Sequence, residues 1–286
     1  MKNVALLISG GVRTFVINEQ FYSFSKLIDY LNKYTNLDIY IYIKIQESHK
    51  STHDLKYILS EKGLINLDRI LKLLKPKCLK WDYNKYKDED KYKDQCKSNW
   101  MHNYYSQIGQ LNELLEECDK NKEYDFYLRC RPDIGIKYFD VNFDLLKEDT
   151  IYTSTKKDCP GNDQFYIFSH KIYMDWWKKY VLRSMGIHHR VPPEYILFEG
   201  DKHNSEFINY NNYDYNKFSI VQLDNIIVYL IRDYFCIKDW GQRCNIKINE
   251  NFWKYHDKDE AIKIKILIGD HDIWYTKFIN IIKNYT

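Results

Sequence analysis

The chain has 286 residues, of which 44% are hydrophobic and 29% charged. It can bury one large α/β core or two small ones, and its composition is far from that of a disordered chain. Its formal net charge is +3, with lysines interspersed among Asp and Glu along most segments, which argues against a nucleic-acid-binding stripe.

Asn3 to Ile8 is a short continuous apolar run that predicts a buried strand, ended by Ser9-Gly10-Gly11. A helix is predicted from about Ile17 to Tyr34, with Phe21, Phe24, Leu27, Ile28 and Leu31 on one face. Leu37 to Ile45 predicts a second strand, Asp54 to Leu74 one or two helices, and Cys78 to Trp81 a third strand. Tyr83 to Lys97 is almost wholly polar and charged and predicts a surface loop or flap. A long helix is expected over Trp100 to Cys118 and a strand over Glu123 to Arg129, running straight into Arg131-Pro132-Asp133. Further strands are predicted at Thr150 to Thr153, Gln164 to Ser169 and Phe218 to Leu223, with helices from His170 to about Leu182 and around Glu194 to Phe198. Ile226 to Tyr234 is apolar and Ala261 to Ile268 alternates. Strands alternating with helices predict an α/β fold with a mostly parallel, Rossmann-like sheet flanked by helices. We read 1–286 as a single domain with two halves, 1–140 and 141–286, the second including a C-terminal subregion.

In such a sheet, ligands bind beyond the carboxyl ends of the strands. Two loops are expected there. In the first, Gly10 and Gly11 let backbone amides approach a phosphate, and Ser9 and Arg13 flank them, Arg13 with a bidentate guanidinium. It matches neither dinucleotide nor phosphate-loop fingerprints, and a tight turn into the helix is the other reading. In the second, Arg129-Cys130-Arg131-Pro132-Asp133 puts two arginines beside a carboxylate, although only eight residues of the chain are Arg. Asp133 is the metal-ligand candidate, because Mg²⁺ or Mn²⁺ needs few protein ligands when phosphates and waters supply the rest. The other reading is an ion pair between Asp133 and Arg129 or Arg131.

Several ordered landmarks resemble a loosely defined group of glycosyltransferase-like proteins found in bacterial surface-polysaccharide clusters, plants and large DNA viruses. They are Ala5 to Phe15, a tyrosine- and glutamine-bearing helix over Tyr104 to Glu117, Tyr124 to Asp133, Gly161 to Phe165, and Pro193-Glu194. The resemblance covers roughly residues 3 to 200. It implies a GT-A-like fold, a nucleoside-diphosphate-sugar donor such as a UDP- or GDP-sugar, a glycan or other hydroxyl acceptor, and a divalent cation. The chain departs from the Asp-x-Asp pattern of that class, since Arg131 stands where the first Asp would be. With such a donor, Ser9, Gly10, Gly11, Arg13, Arg129, Arg131 and Asp133 are the residues expected to bind it. Asp163 is expected to act as general base on the acceptor hydroxyl, Asn162 and Gln164 to bind sugar hydroxyls, and Glu194 to be a second catalytic carboxylate. An Asn-Asp turn capping a strand is the plainer account of Asn162 to Gln164, and a helix start that of Glu194.

The remaining signals are weaker. His188-His189 and Gly269-Asp270-His271-Asp272 attract a metal reading, but adjacent histidines seldom face one ion and the second cluster reads as a turn. Trp176-Trp177 reads as core packing. The 27 tyrosines fit a codon bias toward A/T-rich DNA better than sugar binding. The seven cysteines, Cys78, Cys96, Cys118, Cys130, Cys159, Cys236 and Cys244, form no Cys-x-x-Cys pair, so free thiols are expected. The first apolar run is short for a signal sequence, and no stretch reaches the roughly eighteen apolar residues of a membrane span. A cytoplasmic location follows by default, in the host cytoplasm or a virion if the chain is viral. A nucleotidyltransferase and a non-catalytic carbohydrate-binding protein remain the competing functions.

Overall fold

The computed structural model describes residues 1–11, 15, 18–46, 61–84, 102–154, 162–182, 197, 218–230 and 271–286. The first strand, β1 (Lys2–Gly11), is buried from Val4 to Gly10. A strand covered on both faces needs such a run, because alternate residues feed opposite cores. Val4, Leu6 and Ile8 enter one core, Ala5 and Leu7 the other. Helix α1 (Asn18–Tyr34) lays Phe24, Leu27, Ile28 and Leu31 on the first core at spacings of three and four. Strand β2 (Thr35–Gln46) turns Ile39, Ile41, Ile43 and Ile45 to that same side, and Tyr40 and Tyr42 to the other. Helix α2 (Glu61–Leu74) and strand β3 (Cys78–Asn84) follow. The opposite face is covered by α3 (His102–Asn121), whose Tyr105, Ile108, Leu111, Leu114, Leu115 and Cys118 are all buried. Strand β4 (Phe126–Cys130) then returns beside β1.

Strands β6 (Thr150–Ser154), β7 (Phe165–Ser169) and β8 (Ser219–Leu223) extend the sheet to the order β3-β2-β1-β4-β7-β6-β8. Neighbours run parallel except at β7, which is antiparallel to both β4 and β6. The mostly parallel, helix-flanked α/β sheet expected from the sequence is therefore present. Strands drawn from both 1–140 and 141–286 build it.

Three features depart from expectation. Strand β5 (Ile134–Phe139) was not anticipated; it pairs antiparallel with β9 (Ile226–Leu230) in a separate two-stranded sheet under α1. Its register shifts between Ile136 and Tyr138, and Lys137 and Tyr138 are both exposed, so the period-two pattern that announces a strand is broken by a bulge. The turn expected at Gly269-Asp270-His271-Asp272 is corrected at its described residues, since His271 opens helix α5 (His271–Lys283), which places Phe278 and Ile282 in the first core. Helix α4 begins with one α-turn at His170–Ile172 and continues as a π-helix over Tyr173–Val181. Both Trp176 and Trp177 are fully buried in it, as expected of core residues. Their indole N–H groups donate to the Leu197 carbonyl (3.0 Å) and Asn112 Oδ1 (3.3 Å).

Candidate functional site

Because β1 to β4 are parallel, their carboxyl ends share one edge of the sheet, and β7, running the other way, begins there with Phe165 paired to Cys130. Residues 9–11, 129–133 and 162–164 are thus brought to that edge by topology. Ser9, Gly10 and Gly11 belong to β1 itself and not to a loop after it, since the ladder with β2 continues through Gly10 opposite Ile43 and Gly11 opposite Lys44. The strand outruns its apolar stretch because backbone pairing, and not side-chain polarity, ends it. Gly10 has φ +144°, and a Cβ on it would lie 3.0 Å from Pro132 Cδ. Glycine is required here by the close approach of the Arg131-Pro132-Asp133 turn.

Arg129 points to the α3 side of the sheet and is 2% exposed. Its guanidinium donates to the Gln164 carbonyl (2.8 Å), Gln107 Oε1 (3.2 Å) and the Ser9 carbonyl (3.4 Å). Burial pulls its pKa below the ordinary arginine value, with Tyr166 and Asp163 opposing the shift and Arg131 reinforcing it. Asp163 therefore sits within electrostatic reach of Arg129. Cys130, also buried, has its thiol pushed up to about 12 by burial, which leaves it inert as a nucleophile.

Arg131 and Asp133 form a fork. Arg131 Nε donates to Asp133 Oδ1 at 2.8 Å and its NH2 to Oδ2 at 2.7 Å, with side-chain exposures of 12% and 1%. The intervening Pro132 is held by its carbonyl, which accepts from Gln20 Nε2 of α1 at 2.8 Å. The two readings of Asp133, cation ligand and ion-pair partner, thus lead to different chemistry. Both carboxylate oxygens are engaged by a guanidinium and the side chain is 1% exposed, so an ion reaches them only by displacing Arg131. As it stands, this donor set does not fit a divalent cation.

The turn at 162–164 is built from inside. Asn162 is buried, its Nδ2 donating to Ser154 Oγ (2.7 Å) and its Oδ1 accepting from the Gln164 amide (3.1 Å), an Asx-turn that opens β7. In this arrangement the Asn162 amide holds the turn, where the sequence led us to expect a contact with sugar. Gln164 contributes through its backbone: its carbonyl accepts both from Arg129 NH1 (2.8 Å) and from the Arg131 amide (3.0 Å).

Residues the sequence reading passed over complete the edge. Lys44, near the end of β2, is 7% exposed and donates to Ser106 Oγ at 3.0 Å, which also accepts from Gln110 Nε2 at 3.2 Å. With Gln107 they place a polar seam under the first turns of α3. A lysine closing the tyrosine and isoleucine strand Leu37 to Ile45 was the available signal, as were Ser106, Gln107 and Gln110 recurring on one helix face. Arg13, Glu194, His188, His189, residues 85–97 of the expected flap and the 261–268 stretch lie outside the described residues. Among the described cysteines, Cys78, Cys118 and Cys130 are free. No helix among the described residues is long and apolar enough to cross a membrane.

No family model and no curated protein matches the sequence. Among solved structures, the glycosyltransferase GlyE of Streptococcus pneumoniae TIGR4, in its apo form, is similar at 10% identity and a TM-score of 0.35, over 99% of this chain and 64% of that one. The mannosyltransferase Ktr4p of S. cerevisiae, in complex with GDP, is similar at 11% identity and a TM-score of 0.30, over 92% of this chain and 63% of that one. The chain spans less than two thirds of the length of either.

Proposed function

We propose that this chain is a glycosyltransferase that moves a sugar from a nucleoside-diphosphate donor to a hydroxyl acceptor, a glycan on our reading. The observation that carries it is the Gln164 carbonyl, which accepts from Arg129 and from the Arg131 amide. That joins the Arg-x-Arg-Pro-Asp and Asn-Asp-Gln segments into one structure at the carboxyl edge, where open α/β sheets bind ligands. The Arg131 guanidinium suits a diphosphate, with the buried Arg129 holding the Gln164 and Ser9 carbonyls behind it, and the Ser9 to Gly11 backbone lies against the same turn. Residues 1–140 then carry the donor and 141–286 the acceptor side, with Arg13 and Glu194 assigned to these sides on sequence resemblance.

In the transfer, the acceptor oxygen forms a bond to the anomeric carbon as the bond from that carbon to the diphosphate oxygen breaks. The electron pair leaves on the diphosphate, and the hydroxyl proton passes to the Asp163 carboxylate. Cations already in place at the leaving oxygen stabilise the charge that develops there. A panel of UDP- and GDP-sugars, read by nucleotide release and sugar transfer, tests the reading. Asp163→Asn is expected to lower transfer by at least about 10²-fold with donor affinity unchanged, the scale of a lost general base. Nucleotide binding without turnover of any donor points instead to a non-catalytic binding protein, and turnover of nucleoside triphosphates with sugar phosphates to a nucleotidyltransferase.

A further inference from the structure

Resting on that reading, we infer that the donor phosphates are held by Arg131 with no divalent cation on Asp133, whose carboxylate acts as a positioning group for the guanidinium. The chain of argument starts at the fork. Asp133 gives both oxygens to Arg131 at 2.8 and 2.7 Å and is 1% exposed at its side chain, whereas Arg131 is 12% exposed. The arginine is therefore the outward member of the pair. Mg²⁺ and Mn²⁺ at phosphate sites keep several waters and need room around the carboxylate that binds them. A carboxylate this deeply covered offers that room only if it swings out.

The turn opposes such a swing at three points. The Arg131 amide donates to the Gln164 carbonyl, the Pro132 carbonyl accepts from the buried Gln20, and the Pro132 ring lies over Gly10 so closely that a methyl group there would sit 3.0 Å from Cδ. An ion entering without displacing Arg131 would place two positive charges beside a guanidinium, a repulsion that a low-dielectric edge does not screen. The two-point fork to Asp133 fixes the plane of the Arg131 guanidinium, and with it the plane in which it meets an oxyanion. Preorganised in this way, Arg131 takes over at the diphosphate the electrostatic role of an ion.

Calorimetric titration with UDP and GDP, each in EDTA and in Mn²⁺, tests this on wild type, Arg131→Ala, Arg131→Lys and Asp133→Asn. Electron paramagnetic resonance counts protein-bound Mn²⁺ in parallel. Wild-type affinity is expected to agree within about twofold between EDTA and Mn²⁺, and Arg131→Ala to weaken it about tenfold or more in both, the scale of a lost charge-assisted bond. Arg131→Lys keeps the charge without the fork and should fall between the two. Asp133→Asn retains one acceptor oxygen; at an unchanged melting midpoint it should weaken nucleotide binding equally with and without metal, which a purely structural role would not do. Binding at least tenfold tighter in Mn²⁺ and lost in Asp133→Asn, with stoichiometric bound Mn²⁺, overturns the inference and leaves the glycosyltransferase reading standing. EDTA-insensitive binding that Arg131→Ala does not weaken overturns it as well. Absence of UDP and GDP binding in every condition overturns both.

Discussion

The two ends of the central sheet carry similar charges in different surroundings. At the amino ends of the strands, Asp38 Oδ2 accepts from Tyr124 (2.8 Å) and pairs with Lys122 (2.9 Å) and Lys77 (3.3 Å), while Tyr124 shares a 2.7 Å contact with Tyr40. Nearby, Asp125 takes the Asn3 amide at 2.7 Å and Lys2 at 3.5 Å. The Asp38 side chain is 23% exposed and both its lysine partners 38%. At the carboxyl end the corresponding carboxylate, Asp133, is almost wholly covered. Solvent-exposed pairs add little to stability, and a buried pair is often no better than apolar residues of the same volume. Stability therefore explains the amino-end network as a modest clasp on strand starts and gives no reason for burying charges at the other end. On the proposed function, the donor's phosphate charge supplies one.

The strongest way to break this comparison is to remove the carboxylate at each end. Asp133→Ala leaves the Arg131 guanidinium in a covered site without its partner and is expected to destabilise by about 3–5 kcal/mol, whereas Asp38→Ala should lose less than about 1 kcal/mol. Denaturant midpoints at constant slope measure both, and equal losses would show that the ends do not differ in kind.

A sharper and smaller effect isolates the contact between β1 and the Arg131-Pro132-Asp133 turn. Gly10→Ala combines an unfavourable φ with a Cβ pressed on Pro132, and should cost about 1–3 kcal/mol. In a Pro132→Ala background the steric part disappears and only the backbone part remains, so the double-mutant cycle should show coupling of about 0.5 kcal/mol or more. Additive effects would mean that the proline does not bear on the strand.

The smallest effect is one of pH. Burial raises the Asp38 pKa, but hydrogen bonds from Lys122 and Tyr124 and the charges of Lys122 and Lys77 outweigh it, so the folded value lies below the ordinary one. A depressed folded pKa contributes stability that is present above the unfolded pKa of about 4 and is lost as pH falls through the folded value. Asp38→Asn should flatten the acid limb of the stability profile below about pH 4 by a few tenths of a kcal/mol, and added salt should erase the difference. A wild-type slope that persists in the variant would assign the acid limb to other carboxylates.

Much of this architecture was legible because the sheet is covered on both sides. Val4 to Ile8 and the Ile39 to Ile45 series could read only as buried strands, and the apolar spacing in α1 and α3 could read only as helix. What escaped the sequence depended on partners far along the chain. Strand β5 exists because β9 pairs with it, and its bulge hides the alternation; α5 is anchored by Phe278 against Trp81, ring centroids 5.8 Å apart. Residue types located the candidate site, since arginines beside a carboxylate at a strand end are uncommon in a chain this poor in Arg. They left open whether Asp133 faces an ion or an arginine, because that depends on side-chain rotamers fixed by Gln20, Gly10 and Gln164 from elsewhere in the sequence.

The Gln164 carbonyl also sets an order on the birth of the site. Arg129 reaches back 120 residues to the Ser9 carbonyl and forward 35 to Gln164, and Gln20 lies 112 residues before the proline it holds. Local contacts form early and distant ones late, so these junctions belong to the last stage of folding. On the ribosome, β1, α1 and both arginines emerge well before the acceptor that anchors them. A chain stalled short of residue 162 has the Ser9 carbonyl for Arg129 and Asp133 for Arg131 but lacks the Gln164 carbonyl that ties the two together. The 129–133 and 162–164 segments are therefore joined only when the closing strand arrives.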